Sequence, residues 1–283
     1  MLSVLSYKSE VGRRSFVGTL ILCLGVSGCV AQAGNVSIID DVMVPHVAEY
    51  HFEMVNAEQG SSIVDASGVL GYRFEKMCDG WVTEMQQIMI LQGAEGTIIN
   101  SAYSMTQWED FAGSEYRFRM RDYLDGTKVD EIVGSASRNS DGVTVTYEIP
   151  VEVVDELPAE TMFPTQHSAM LLKRAQEGEK FGNDLVFDGS GETPTNRIAV
   201  VISDQKDATN SADDPDKIAA TPFHRMSLAF YPIGEAENGP STEMAVDFGL
   251  NGVAHAMRFD YGEFEVLGTL DKVSLLPQPD CGS

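Results

Sequence analysis

Apolar residues fall on every second position along most of this chain, and that period belongs to strands with one face buried. Ala48, Tyr50, Phe52 and Met54 share one face of residues 48–54, while Glu49, His51 and Glu53 share the other. Tyr116, Phe118 and Met120 alternate with Arg117, Arg119 and Arg121, and Val143, Val145 and Tyr147 alternate with Thr144, Thr146 and Glu148. Between the runs stand Asp125-Gly126, Asp141-Gly142, Asp188-Gly189 and Asn251-Gly252. Such dipeptides supply the positive φ angles of tight hairpins. The pattern predicts strands over 44–56, 66–77, 80–91, 96–108, 114–123, 128–138, 142–149, 183–188, 196–203, 222–231, 241–250, 253–260 and 263–276. A run of strands this long reads as one large antiparallel sheet, rolled up to avoid bare edges.

One segment departs from the period. Phe163-Pro164-Thr165 leads into Gln166–Gly178, where Leu171, Leu172 and Ala175 form an apolar stripe with Met170 beside it. Thr165 is placed to cap the start, Pro164 to discourage an earlier one, and Gly178 to end it. We expect one helix, about 165–178, packed on the inner face of the sheet. Residues 204–217 (DQKDATNSADDPDK) read as a polar, acidic loop with nothing to suggest a strand. No internal repeat and no linker divides the chain.

The first 33 residues read as a targeting segment. Lys8, Arg13 and Arg14 precede a mostly apolar stretch, Phe16–Val30, which ends at Ala31-Gln32-Ala33. That stretch is shorter than the roughly 20 residues a bilayer requires, and A-x-A is a cleavage pattern. The expectation is a secretory signal over 1–33, cleaved after Ala33, and a single domain over 34–283 in the periplasm. Arg13-Arg14-Ser15-Phe16-Val17 resembles part of a twin-arginine signal. Val26-Ser27-Gly28-Cys29 resembles a lipobox, so lipid anchoring at Cys29 is the alternative to cleavage at Ala33. No later stretch is apolar enough to cross a membrane.

Of the four cysteines, Cys23 and Cys29 fall in the signal, which leaves Cys78 and Cys281. One intramolecular pairing is open to these two; the alternative is a pair of free buried thiols. A bridge closing a loop of about 200 residues stabilises by at most about 5 kcal/mol on the chain-entropy model. Redox pairs of the CxxC type need close spacing, so the expected bond is structural and ties the C-terminal tail to an early strand.

The formal net charge is −24, and cleavage removes three of the 19 basic and one of the 43 acidic residues, leaving 16 against 42. That balance opposes nucleic acid, whose phosphates need a basic patch, and anionic membrane surfaces. The five histidines, His46, His51, His167, His224 and His255, form no HExxH pattern, and His46 and His51 fall on opposite faces of one strand. The acidic loop lacks the glycine and glutamate of an EF-hand. Gly189-Ser190-Gly191 is one residue too short for a nucleophile elbow, and there is no phosphate-cradling or dinucleotide motif. No catalytic residue, metal or cofactor is expected.

Several strings recur in one known family. They are Cys78-Asp79-Gly80-Trp81, Thr106–Phe111, Asp141-Gly142-Val143, Phe163-Pro164-Thr165-Gln166-His167, Phe187-Asp188-Gly189-Ser190, Met257–Tyr261 and Leu276-Pro277 followed by Cys281. In this order, over roughly residues 43–281, the chain resembles the cell-envelope-integrity EipB family of Gram-negative periplasmic proteins. The resemblance implies a β-spiral, a long antiparallel sheet coiled into an open barrel with the helix inside. It also implies a disulfide matching Cys78 and Cys281, a role in envelope integrity under stress, and no enzyme activity. Thr221-Pro222-Phe223-His224-Arg225 stands where the family carries a Trp-Pro-type segment, so groove chemistry could differ here. The expected role is non-enzymatic, through an envelope protein or lipid partner, with Tyr50, Phe52, Met54, Tyr116, Phe118 and Met120 as an interior surface. The alternative is a lipid or lipoprotein carrier with an apolar cavity. The oligomeric state is not legible.

Overall fold

The structure is a computed structural model that describes residue 39 and residues 42–190, 195–208, 212–233 and 239–282. The expected signal segment, with Cys29 and Ala33, lies outside these. The strands are β1 (His46–Ala57), β2 (Ile63–Lys76), β3 (Gly80–Gly93), β4 (Ile98–Asp110), β5 (Glu115–Leu124), β6 (Thr127–Arg138), β7 (Val143–Ile149), β8 (Val153–Leu157), β9 (Phe181–Phe187), β10 (Thr195–Lys206), β11 (Phe223–Pro232), β12 (Thr242–Gly249), β13 (Ala254–Asp260) and β14 (Phe264–Leu275), with helix α1 (Pro164–Gln176) between β8 and β9. They form a 14-stranded antiparallel sheet in the order β8-β7-β6-β5-β4-β3-β2-β1-β14-β13-β12-β11-β10-β9. The chain therefore steps outward from β1 to β8, crosses through α1, and steps back from β9 to β14, which pairs with β1. The sheet does not close: β8 and β9 are its two edges.

Local chemistry explains the hairpins unevenly. Asp125 and Gly126 both have positive φ, 49° and 78°, and they are the whole link between β5 and β6, a two-residue turn of the kind that matches strand twist. Asp141-Gly142 works otherwise: the Asn139 side chain accepts from the N–H groups of Asp141 (2.8 Å) and Gly142 (3.1 Å). Asp188-Gly189 opens the longer link between β9 and its antiparallel partner β10. Gly189 has a φ of +70° and presses against the Phe118 ring, where a Cβ would lie 2.5 Å from a ring carbon. Strand β8 falls outside the expected set. Its inward row, Val153, Asp155 and Leu157, is opposite Tyr147, Val145 and Val143, and the carboxylate in that row breaks the apolar alternation.

The helix begins one residue earlier than the sequence suggests and is capped differently. Phe163 is the N-cap, with no side-chain capping bond, and Pro164 is the first helical residue, where its fixed φ suits the helix. Thr165 lies inside the first turn. The orphan N–H groups of Thr165 and Gln166 donate instead to the carboxylate of Glu109 on β4, at 2.9 and 3.0 Å. A cap 56 residues distant in sequence has no local signature. Gly178, at φ +80°, lies just past the end, and the Glu179 N–H closes back on the Arg174 carbonyl at 2.9 Å.

The described parts of the acidic loop carry more structure than its composition implies. Strand β10 runs on to Lys206, and Asp213 forms an isolated parallel bridge with Lys272 of β14. Its N–H donates to the Asp271 carbonyl and its carbonyl accepts from the Val273 N–H. The paired part of β13 reaches only Thr269 on β14, so this loop takes over the edge that β13 leaves. Asp214 caps the short 3-10 turn Ile218–Ala220 through the N–H groups of Ile218 (2.9 Å) and Ala219 (2.7 Å).

Three packed clusters fill the coil. The first sets Leu171, Leu172 and Ala175 of α1 between Phe74 and Trp81 on one side and Ile198, Val200, Ile202 and Met226 on the other. Phe74 and Trp81 stack with centroids 4.7 Å apart. The helix thus lies inside, bridging the two halves of the sheet. The second cluster joins β1, β2 and β14 around Tyr50 and Phe52. Phe52 pairs with Gly68 on one neighbour and Gly268 on the other, and a Cβ at Gly268 would fall 2.6 Å from its ring. The third gathers Tyr116, Phe118, Met120, Ile132, Val143 and Val145 with Phe163 and Phe187. Cys78 and Cys281 are joined in a disulfide with Cα atoms 5.4 Å apart. Cys78 occupies the β2–β3 turn rather than a strand, so the bond pins the extended tail beyond β14 to a hairpin tip.

Candidate functional site

A concavity opens between the two sheet edges. A cavity of about 680 Å3 lies there, walled by β6, β7 and β8 on one side and β9 and β10 on the other. Its floor is apolar and comes from inward rows: Ile132, Val145, Tyr147, Leu185 and Phe187. Its rim is acidic. Asp130, Asp155, Glu156 and Glu160 line it, against one cation, Arg197. Pro150, Val151, Val153 and Pro158 complete the β8 side, and Val151 is 64% and Val153 44% exposed.

A polar layer fixes the floor. The Asp188 carbonyl accepts from Tyr116 Oη at 2.8 Å and from Gln107 Nε2 at 3.2 Å, and the Asp188 carboxylate accepts from the N–H (2.9 Å) and hydroxyl (2.8 Å) of Ser190. Burial pushes the Asp188 carboxyl up from its ordinary value. The Tyr147 phenol is pushed up to about 12 by burial, reinforced by the carboxylates of Asp155 and Asp188. Asp122, opposite Asp130 on the neighbouring strand, is raised by burial and by that second carboxylate. The mouth is thus a field of negative charge over an apolar base.

Two clamps hold the segment that closes the mouth from below. Arg138 of β6 donates to the carbonyls of Gly113 (3.0 Å) and Thr161 (2.6 Å), and its guanidinium lies 5.3 Å from the Phe163 ring centre. Arg174 of α1 makes a two-bond fork to Asp184 of β9, one bond at 2.8 Å, while His167 Nε2 stands 3.4 Å from the same carboxylate. The neighbouring His167 and Arg174 side chains hold the Asp184 carboxyl well below the usual range, against the burial that would raise it.

The residues expected to form an interior surface all lie on inward rows but in two separate clusters. Tyr50 and Phe52 are buried and Met54 is half-buried in the cluster around β1, whereas Tyr116, Phe118 and Met120 are buried in the cluster around β5. None of the six lines the cavity at the mouth. Tyr50 borders a separate groove of about 530 Å3 over β1–β4. His46 is buried on β1 and His51 is exposed on the opposite face. Among the described residues no group of three or more His, Cys, Asp or Glu side chains is placed to hold a metal ion, and no helix is long and apolar enough to cross a membrane. The residues missed from the sequence are those of β8 and its rim. The signal for them was present in Val151-Glu152-Val153-Val154-Asp155-Glu156-Leu157, a β-branched and acidic run bounded by Pro150 and Pro158.

Three comparisons bear on this architecture. A family model described as EipB-like matches residues 40–277. The cell envelope integrity protein EipB of Brucella abortus (strain 2308) is 25% identical over 264 residues, covering 91% of each chain. The crystal structure of a β-barrel-like protein of a domain of unknown function from Brucella abortus superposes with a TM-score of 0.77 at 25% identity, covering 83% of this chain and 99% of that one.

Proposed function

The chain belongs to the EipB-like family, and from that premise we propose that it is a non-enzymatic periplasmic protein that supports cell envelope integrity by binding a partner in the envelope. The observation that carries this reading is the unclosed sheet, whose two edges leave a lined cavity of about 680 Å3 instead of a sealed barrel. A relative matching 91% of the chain is named for cell envelope integrity. The N-terminal pattern from Lys8 to Ala33 supports export by a cleaved signal. The acidic surface keeps the protein away from anionic lipid headgroups, so a protein partner fits better than adsorption to the membrane itself.

A second reading, a lipid or lipoprotein carrier, has one observation in its favour, the apolar floor of the same cavity. Native mass spectrometry of the protein extracted from its own periplasm, followed by denaturing lipid analysis, separates the two. The partner reading expects a clean apo mass with the disulfide intact. A bound acyl species at near-stoichiometric amount would overturn it in favour of the carrier.

A further inference from the structure

Strand β8 is an edge of the sheet, and a bare edge presents alternate backbone N–H and C=O groups that only another extended chain can satisfy along its length. Its apolar residues are exposed, Val153 at 44% and Val154 at 58%, as is Val151 just before it, at 64%. Beside it lies the apolar floor of the mouth, and over it stand Asp155, Glu156 and Glu160.

We propose that β8 is a docking edge that takes up an extended peptide segment of a partner protein, one that alternates apolar and basic side chains. This deepens the partner-binding reading above and rests on it. The three parts of the edge select three parts of the ligand. The backbone edge selects a polypeptide in strand conformation, since a lipid tail offers neither donors nor acceptors for it. The partly exposed apolar side chains at the mouth, Tyr147, Val153 and Leu157, receive one row of apolar side chains. The carboxylates on both faces of β8, Asp155 inward and Glu156 outward, select lysine or arginine and repel acidic segments, the β8 strand of a second copy among them. Inward-pointing charge on an edge strand also guards against pairing between copies, so the same residues exclude self-association and admit a basic guest.

The probe is a synthetic ten-residue peptide alternating valine and lysine, labelled with a fluorophore and titrated with the purified mature protein by anisotropy. Its counterparts are a valine–glutamate peptide and a valine–lysine peptide N-methylated on alternate residues. The proposal expects saturable binding of the basic peptide, no binding of the acidic one, and at least about tenfold weaker binding of the N-methylated one. The double substitution Asp155→Lys, Glu156→Lys falls on exposed positions and should weaken the basic peptide by at least about tenfold. An unchanged circular dichroism spectrum and melting temperature show that the fold survives. The proposal is overturned if the basic peptide does not bind, if the charge-reversed protein binds it equally, or if N-methylation makes no difference, which would mean charge attraction without strand pairing. The partner reading is judged separately, by whether site-specific photocrosslinkers outside the mouth capture one defined envelope protein in living cells. A negative peptide titration with a positive crosslink removes the β8 edge and leaves that reading standing.

Discussion

Glu109 shows how one buried carboxylate organises an element far from it in sequence. It is 1% exposed and accepts both free N–H groups at the start of α1. Burial pushes its carboxyl up to about 7, opposed by those helix N–H bonds. Between its ordinary value and about 7 the folded protein holds a proton that the unfolded chain has lost, so this group's contribution to stability falls as pH rises through that window. Glu109→Gln should cost about 1–3 kcal/mol through its mismatched amide and flatten the pH dependence between 5 and 8. Urea unfolding of both proteins across that range measures the difference. Asp184 runs the other way. Its carboxyl is held low by His167 and Arg174, so its stabilisation is present above the unfolded carboxylate value and fades as pH falls through the folded one. Asp184→Asn should cost about 2–3 kcal/mol at pH 7, and the penalty should shrink in acid. Equal urea midpoints for the variant and the parent at pH 7 would contradict this.

At the scale of elements, the close approach of Phe52 to Gly268 predicts that Gly268→Ala destabilises by about 1–3 kcal/mol through overpacking, read as a lowered urea midpoint with an unchanged slope. The disulfide predicts that Cys78→Ser, or reductant, lowers the melting temperature and opens the tail beyond Leu275 to protease first. Equal melting temperatures with and without reductant would contradict it. Which elements the sequence discloses follows from where their partners are. The strands built on Tyr50, Tyr116 and Val143 carry their period within themselves, and the Asp125-Gly126 hairpin carries its turn. The helix discloses its stripe through Leu171, Leu172 and Ala175, but not its cap, because Glu109 reaches it only through the fold. Strand β8 hides because an edge strand is not obliged to be apolar on its inward row, and Asp155 stands in that row. The candidate site was illegible for the same reason: its floor comes from β6, β7 and β9 together, and no one of them shows a pocket.

For the whole molecule, stability should be graded across the sheet. The central strands β14, β1, β2 and β3 have neighbours on both sides, whereas β8 and β9 are edges. Hydrogen exchange should therefore be slowest in β1, β2 and β14 and fastest in β8; uniform protection would contradict an open sheet. The topology also dictates an order of events. Every strand pairing but one joins strands adjacent in sequence, so each half can assemble through local hairpins as the chain emerges. The exception is β1 with β14, which joins residues more than 200 positions apart, such as His46 and Leu275. Bringing such distant segments together carries a loop-closure cost that local hairpins avoid. A chain threaded amino-terminus first through a membrane pore would present β1 at the outset and β14 only at the finish. On such a route the seam down the middle of the sheet would be sewn only once translocation was complete, so the two halves would wait, each already folded into hairpins, for the stitch that makes them one sheet.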